Sequence, residues 1–274
     1  MIEINNLAFS YGKSLVLKNI TMDLTEGHIY GLLGENGVGK TTLLSLLCGL
    51  KNPASGTIRV DGQIPFHRQP SLLQEQFFLP DEVEARNETA LSFAKSFGKF
   101  WAGFKLDVFL QIMKEFENDA EKKMNKMSAG QLKKTYIAFA LASGVKYLYM
   151  DEPTNGLDIP SKSQFRSAIM KYTREDSTIV ISTHQVRDLE NVIDPIIILD
   201  RQDVLLNATI EQISEKLYFD YGTTVRPDAL YCEQLPGGLI QVCPNADGLD
   251  SKVNIEALFN TVHNNKQLIK KLYE

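Results

Sequence analysis

The segment Gly34-Glu35-Asn36-Gly37-Val38-Gly39-Lys40-Thr41 constrains this chain more than any other. It fits G-x-x-x-x-G-K-[ST], and Thr42 extends it. It lies between a short apolar run, His28 to Leu33, and a helical pattern over Thr41 to Leu50 that stops near Gly49 and Pro53. A strand that runs through such a loop into a helix is the setting of a phosphate-binding loop. Its glycines let the backbone wrap phosphates with N–H groups pointing inward. The helix beginning at Lys40 aims its positive end at the anion. Gly34, Asn36, Gly37, Gly39, Lys40, Thr41 and Thr42 are therefore the candidate phosphate contacts. Lys40 is placed to reach the β- and γ-phosphates of a nucleotide, and the Thr41 hydroxyl to hold Mg²⁺.

A second signal is Tyr147-Leu148-Tyr149-Met150-Asp151-Glu152, an apolar strand ending in two carboxylates. Open parallel sheets bind ligands at the carboxyl ends of their strands. That edge suits Asp151 to the metal and Glu152 to the water that attacks the γ-phosphate.

Around these motifs the chain alternates strands and helices. Strands are expected at Tyr147 to Met150, Thr178 to Ser182 and Ile196 to Leu199. Helices are expected at Ser128 to Ala142, Pro160 to Tyr172 and near Val186 to Val192. This order predicts a parallel sheet covered on both faces. Earlier, Ile2 to Phe9 and Val16 to Leu24 alternate as antiparallel strands, and Gly56 to Val60 is a further strand. Glu84 to Phe116 reads as two or three helices broken near Gly98 and Gly103. After Asn207 come a helical pattern over Thr209 to Phe219, strands at Ala229 to Glu233 and Leu239 to Cys243, and helices over Asn254 to Tyr273.

Composition narrows the class. The 274 residues are 43% hydrophobic and 23% charged, which excludes a disordered or collagen-like chain. The net charge of −5 disfavours a nucleic-acid partner. No run approaches the roughly 18 apolar residues of a spanning helix. The first ten residues lack a signal-peptide pattern. Cys48, Cys232 and Cys243 show no metal-ligand spacing and read as reduced thiols. A cytoplasmic protein is expected, reaching a membrane only through a partner.

Further motifs lie in a fixed order. Met127-Ser128-Ala129-Gly130-Gln131 resembles the LSGGQ signature of ATP-binding cassette (ABC) ATPases, and Pro153-Thr154-Asn155-Gly156-Leu157-Asp158 resembles their D-loop. Ser182-Thr183-His184 resembles the switch histidine, and Tyr11 in Phe9-Ser10-Tyr11-Gly12 the aromatic that stacks on adenine. The resemblance covers Met1 to about Asn207. It implies an α/β P-loop NTPase of ABC type: a mixed central sheet with flanking helices, an antiparallel β subdomain, and a helical subdomain over about 82–143. Residues 1–207 would form the ATPase domain and 208–274 a C-terminal α+β extension in which no motif is legible.

The resemblance also implies ATP and Mg²⁺ as ligands and a head-to-tail homodimer or heterodimer. In it Ser128, Ala129, Gly130 and Gln131 would face the nucleotide held by the partner's phosphate loop. His184 would position the γ-phosphate and the attacking water, beside the catalytic Glu152 and Lys40.

Four departures stand out. Met127 and Ala129 replace Leu and Gly in the signature, and Lys134 stands where Arg is frequent. Aligning Phe77-Phe78-Leu79-Pro80 with the family's apolar-Pro stretch puts Asp81 at the Q-loop glutamine, as an added oxygen ligand for Mg²⁺. The open alternative is a displaced alignment, with Gln74 and Gln76 lying earlier in the chain.

The expected role is the ATPase subunit of an export transporter, gripping a separate multispanning permease through the aromatic-rich helical segment of Phe97, Phe100, Trp101 and Phe104. The alternative is a soluble ABC ATPase acting on ribosomes or DNA. Relatives of that kind carry two cassettes or a long coiled-coil insertion, which this sequence lacks.

Overall fold

The computed structural model describes residues 1–200 and 203–273. Strands β1 (Ile2–Tyr11) and β2 (Ser14–Leu24) form an antiparallel pair. Their alternation buries Ile2, Ile4, Leu7, Leu17, Ile20 and Leu24. Strand β3 (Ile29–Leu33) runs into the glycine loop, and helix α1 (Lys40–Leu47) leaves it. The helix is shorter than the expected span to Leu50. Gly49 turns left-handed at φ 73°, the Leu50 amide returns to the Ser45 carbonyl at 2.9 Å, and the Gly49 amide to Leu46 at 3.1 Å. That paired closure ends a helix at the residue before glycine. Strand β4 (Ser55–Val60) joins the other side of β1 to complete a three-stranded antiparallel sheet.

A short helix α2 (Pro70–Leu73) precedes β5 (Gln76–Leu79). The next helices are α3 (Ala90–Phe97), α4 (Leu106–Glu115) and α5 (Ala129–Ala142). The helical expectation from Glu84 onward is corrected at its start. The Thr89 hydroxyl caps α3 by accepting from the Ser92 amide at 3.1 Å. Arg86 and Glu88 spend their carbonyls on the amides of Asn125 (3.0 Å) and Met124 (2.9 Å), so that stretch is extended.

The remaining strands of the central sheet alternate as expected. They are β6 (Tyr147–Asp151), then α6 (Ile159–Tyr172), β7 (Thr178–Thr183), β8 (Ile196–Asp200) and β9 (Asp203–Ala208). The sheet order is β5-β6-β7-β3-β8-β9, parallel except for the antiparallel β9, which the sequence pattern did not reveal. Helix α1 and the antiparallel sheet cover one face, with Leu43, Leu44, Leu46 and Leu47 in one buried cluster. Helices α5 and α6 cover the other through Phe139, Phe165 and Ile169.

No α-helix forms over Val186 to Val192. A single 3₁₀ turn, Val186–Asp188, stands there instead. Two side chains of α6 hold it open: Lys162 pairs with Asp188 at 2.6 Å, and Arg166 donates to the Asp188 carbonyl at 3.0 Å.

The C-terminal part comprises α7 (Ile210–Lys216), β10 (Leu217–Gly222), β11 (Tyr231–Leu235), β12 (Gly238–Pro244), α8 (Ile255–Asn264) and α9 (Lys266–Tyr273). The helical expectation over Thr209 to Phe219 is half right. Leu217 and Phe219 bury alternately and pair with Pro244 and Val242, so they start a strand. The three strands form their own antiparallel sheet in the order β10-β12-β11. Ile213, Phe219, Val242, Leu258 and Ile269 belong to the same buried cluster as Phe139 and Phe165, so the extension shares a core with the cassette. Among the described residues, no helix is long and apolar enough to cross a membrane.

Candidate nucleotide site

One cleft opens at the carboxyl edge of the central sheet. It is lined by Tyr11, Asn36, Gly37, Gly39, Lys40, Thr41, Thr42, Asp81, Asp151 and Glu152, with Val16, Pro80 and Glu82. The loop geometry requires glycine at two points. Gly39 has φ 115°, and a Cβ there would lie 2.8 Å from Leu17. At Gly34 a Cβ would lie 2.7 Å from the Leu199 carbonyl oxygen, so this residue supports the loop from beneath the cleft.

Lys40 is buried, and its ammonium donates to the carbonyls of Gly34 (2.8 Å) and Glu35 (3.2 Å) while standing 3.8 Å from Glu152 Oε1. Burial lowers its pKa, while the carboxylates of Glu152 and Asp151 work against that shift. The ammonium is therefore held over the loop by backbone oxygens.

Thr41 Oγ1 donates to Asp151 Oδ2 at 2.6 Å. This brings a hydroxyl and a carboxylate from helix α1 and strand β6 to one point. Their oxygens are the hard donors Mg²⁺ prefers, and few protein ligands are needed where phosphates and water complete the shell. The donor set thus fits Mg²⁺, which Thr41 and Asp151 would hold. Among the described residues no cluster of three or more His, Cys, Asp or Glu offers another metal site.

The register of β6 and β7 places Ser182 opposite Asp151. Ser182 Oγ donates a short hydrogen bond to Asp151 Oδ1 and accepts the Glu152 amide at 3.2 Å. Glu152 itself sits at φ 46°, in the left-handed region that a residue with a Cβ enters at a cost. Its amide also donates to the Ser182 carbonyl at 3.1 Å, so β7 holds that conformation. His184, just beyond β7, brings Nδ1 to 2.8 Å from Glu152 Oε1, and its amide donates to Oε2 at 3.4 Å.

Tyr11 projects at the mouth of the cleft, half exposed, with its hydroxyl 3.3 Å from Thr42 Oγ1 and Lys51 Nζ 4.8 Å from its ring centre. Asp81 lines the cleft, but its carboxylate is engaged. It accepts from Lys133 Nζ at 3.1 Å and from Asn155 Nδ2 at 3.3 Å. Gln76 lies away from the cleft, donating to the Cys48 carbonyl at 3.1 Å.

The signature residues do not line this cleft. Ser128 caps α5 by accepting from the Gln131 amide at 3.2 Å, and Gln131 Oε1 accepts the Ser128 amide in return at 3.1 Å. Ala129 is the first helical residue, where a methyl fits a helix better than glycine does. A Cβ on Gly130 would lie 3.5 Å from the Gly156 carbonyl oxygen. Sequence reasoning missed Ser182 and Lys133 as supporting residues, since both act through contacts far along the chain.

The profile of the ABC transporter family matches residues 17–155. An uncharacterized ABC transporter ATP-binding protein of Methanocaldococcus jannaschii is 30% identical over 244 residues, covering 85% of this chain and 88% of the relative. Nod factor export ATP-binding protein I of Burkholderia orbicola is 32% identical over 205 residues, covering 73% of this chain and 67% of the relative. A solved ATP-binding subunit of an ABC transporter shares the fold with a TM-score of 0.71 and 22% identity, over 78% of this chain and 91% of that one. The chain belongs to the ABC transporter family, as one of its ATPase subunits.

Proposed function

We propose that this chain powers an export transporter by binding and hydrolysing ATP as a dimer against a separate membrane permease, at the inner face of the cell membrane. The observation that carries the reading is the convergence of Lys40, Thr41, Asp151 and Glu152 on one cleft, with the His184 ring against Glu152 from beyond it. Adenine stacks on Tyr11, and the phosphates lie in the loop, where amide groups and Lys40 meet their charge. Thr41 and Asp151 would hold Mg²⁺, which would supply charge neutralisation on the phosphates. Glu152 accepts a proton from water as the water oxygen bonds to the γ-phosphorus. The bond from that phosphorus to the bridging oxygen breaks, leaving ADP and phosphate. His184 orients the Glu152 carboxylate and the water. Asp81, engaged by Lys133 and Asn155, stands at the Q-loop position.

Ser128, Ala129, Gly130 and Gln131 lie outside the cleft lined by their own loop, which supports their use on a partner's nucleotide. A groove beside α2 and β5 suits the permease. It is lined by Leu50, Leu73, Phe77, Phe78, Phe100 and Trp101, with Arg68 and the buried Gln76. Phe100 is 63% exposed there. Phe97 and Phe104, by contrast, pack against the core. Aromatic side chains of this kind are enriched at interfaces. The Nod factor export relative favours export. Affinity purification of the chain from membranes tests the proposal: a multispanning membrane protein should co-purify, and that association should fall when Phe100 is changed to Glu. Recovery with ribosomes instead would overturn it.

A further inference from the structure

The extension after β9 reaches back to the segment that follows His184. Helix α8 is a firm platform for this. Asn254 caps it, accepting from the Ala257 amide at 2.9 Å, and Leu258 and Val262 are buried beneath it. Asn260 ties it to β11 through the Tyr231 hydroxyl at 3.0 Å. From the first turn of this helix, Glu256 Oε2 accepts from Arg187 Nε at 2.7 Å, and Nη2 of the same guanidinium lies 2.6 Å from it as an ion pair.

Arg187 belongs to the turn Val186–Asp188, close behind His184. The other side of that turn is tied to α6. Lys162 holds Asp188 at 2.6 Å and Gln185 Oε1 at 3.1 Å. The turn is thus gripped between the helix that follows the D-loop and the extension. A hollow opens between them, lined by His184, Gln185, Arg187, Glu256, Phe259 and Asn260. His184 stands exposed past the end of β7, with both its ring and its amide against Glu152.

We propose that the C-terminal extension is a regulatory arm of ATP turnover, in which Glu256 acts as a positioning residue: through Arg187 it sets where His184 stands against Glu152. This rests on the reading of His184 as part of the hydrolytic site. The pair is exposed, so its direct contribution to stability is small. Its leverage comes from its place, because a small displacement of a group that orients a reacting water is felt in rate.

Steady-state ATPase measurements on the full chain test this with Arg187→Glu, Glu256→Arg and the double exchange. Each single change should lower kcat about threefold to tenfold while KM for ATP stays within about twofold and Tm is unchanged. The double exchange, which restores the ion pair in reverse, should recover most of the lost kcat. If a reversal fails to fold, Arg187→Gln and Glu256→Gln take its place, with a smaller loss in the same direction. His184→Ala is measured alongside. Near-normal turnover in that variant defeats the His184 reading itself. Impaired turnover there, with normal kcat in the Arg187 and Glu256 variants or no recovery in the double exchange, overturns the regulatory arm alone.

Discussion

Oε1 of Glu152 is shared by two groups: His184 Nδ1 stands 2.8 Å from it, and Lys40 Nζ 3.8 Å from it. The carboxylate proposed to take the proton is therefore held between a ring nitrogen and a cation, on a residue that β7 keeps in a left-handed conformation. The phosphate loop, the acidic strand end and the histidine beyond β7 converge on this one side chain.

Lys40→Ala should weaken ATP binding roughly tenfold to a hundredfold, as expected for losing a hydrogen bond from a charged donor. Equilibrium binding of a fluorescent ATP analogue reads this directly. Unchanged affinity would contradict the assignment of the loop.

Ser182→Ala should lower kcat roughly tenfold or more, because it removes the donor to Asp151 Oδ1 and an acceptor for the Glu152 amide. The Mg²⁺ concentration needed for half-maximal turnover should rise, while nucleotide binding in the absence of metal stays near wild type. A drop in Tm with no change in Mg²⁺ dependence would make Ser182 only a packing residue.

The contrast between these two residues shows what was legible in the sequence. Lys40 sits in a local pattern whose spacing and flanking elements carry its meaning. Ser182 acts because the parallel register of β6 and β7 places it opposite Asp151, which no local pattern records. Lys133 on α5 likewise meets Asp81 only in three dimensions. The elements that were misread share a cause. The segment before Thr89 and the turn after His184 carry helical composition, but tertiary bonds claim their backbone, whereas the aromatic run from Leu217 leaves the helix to pair with β12.

Ser128→Ala should destabilise the fold by about 1 kcal/mol, since the hydroxyl caps α5 and anchors a reciprocal box with Gln131. Urea unfolding of the isolated chain checks it. A further loss of ATP-driven dimerisation, beyond what the lost stability explains, is expected if Ser128 also meets the partner's nucleotide.

Asp61 gives a pH dependence of fixed sign. Burial would raise its pKa, but hydrogen bonds from the Tyr147 hydroxyl, the Met1 ammonium and Lys146 outweigh that and bring it to about 2. A carboxyl depressed in the folded state stabilises fully above its unfolded pKa and loses that contribution as pH falls through the folded value. Stability should thus decline as pH drops from about 4 towards about 2. In Asp61→Asn the decline over that window should be shallower, as thermal melts at stepped pH would show.

If ATP binds at the site built around Glu152 and a second subunit closes it, Glu152→Gln should trap that closed state, as read by size-exclusion chromatography with light scattering in the presence of ATP and Mg²⁺, beside an ATPase assay. Turnover should fall by about 10²- to 10⁴-fold and a stable ATP-dependent dimer should form. A variant that stays monomeric with bound ATP, or hydrolyses it at close to the wild-type rate, would contradict this reading of the site.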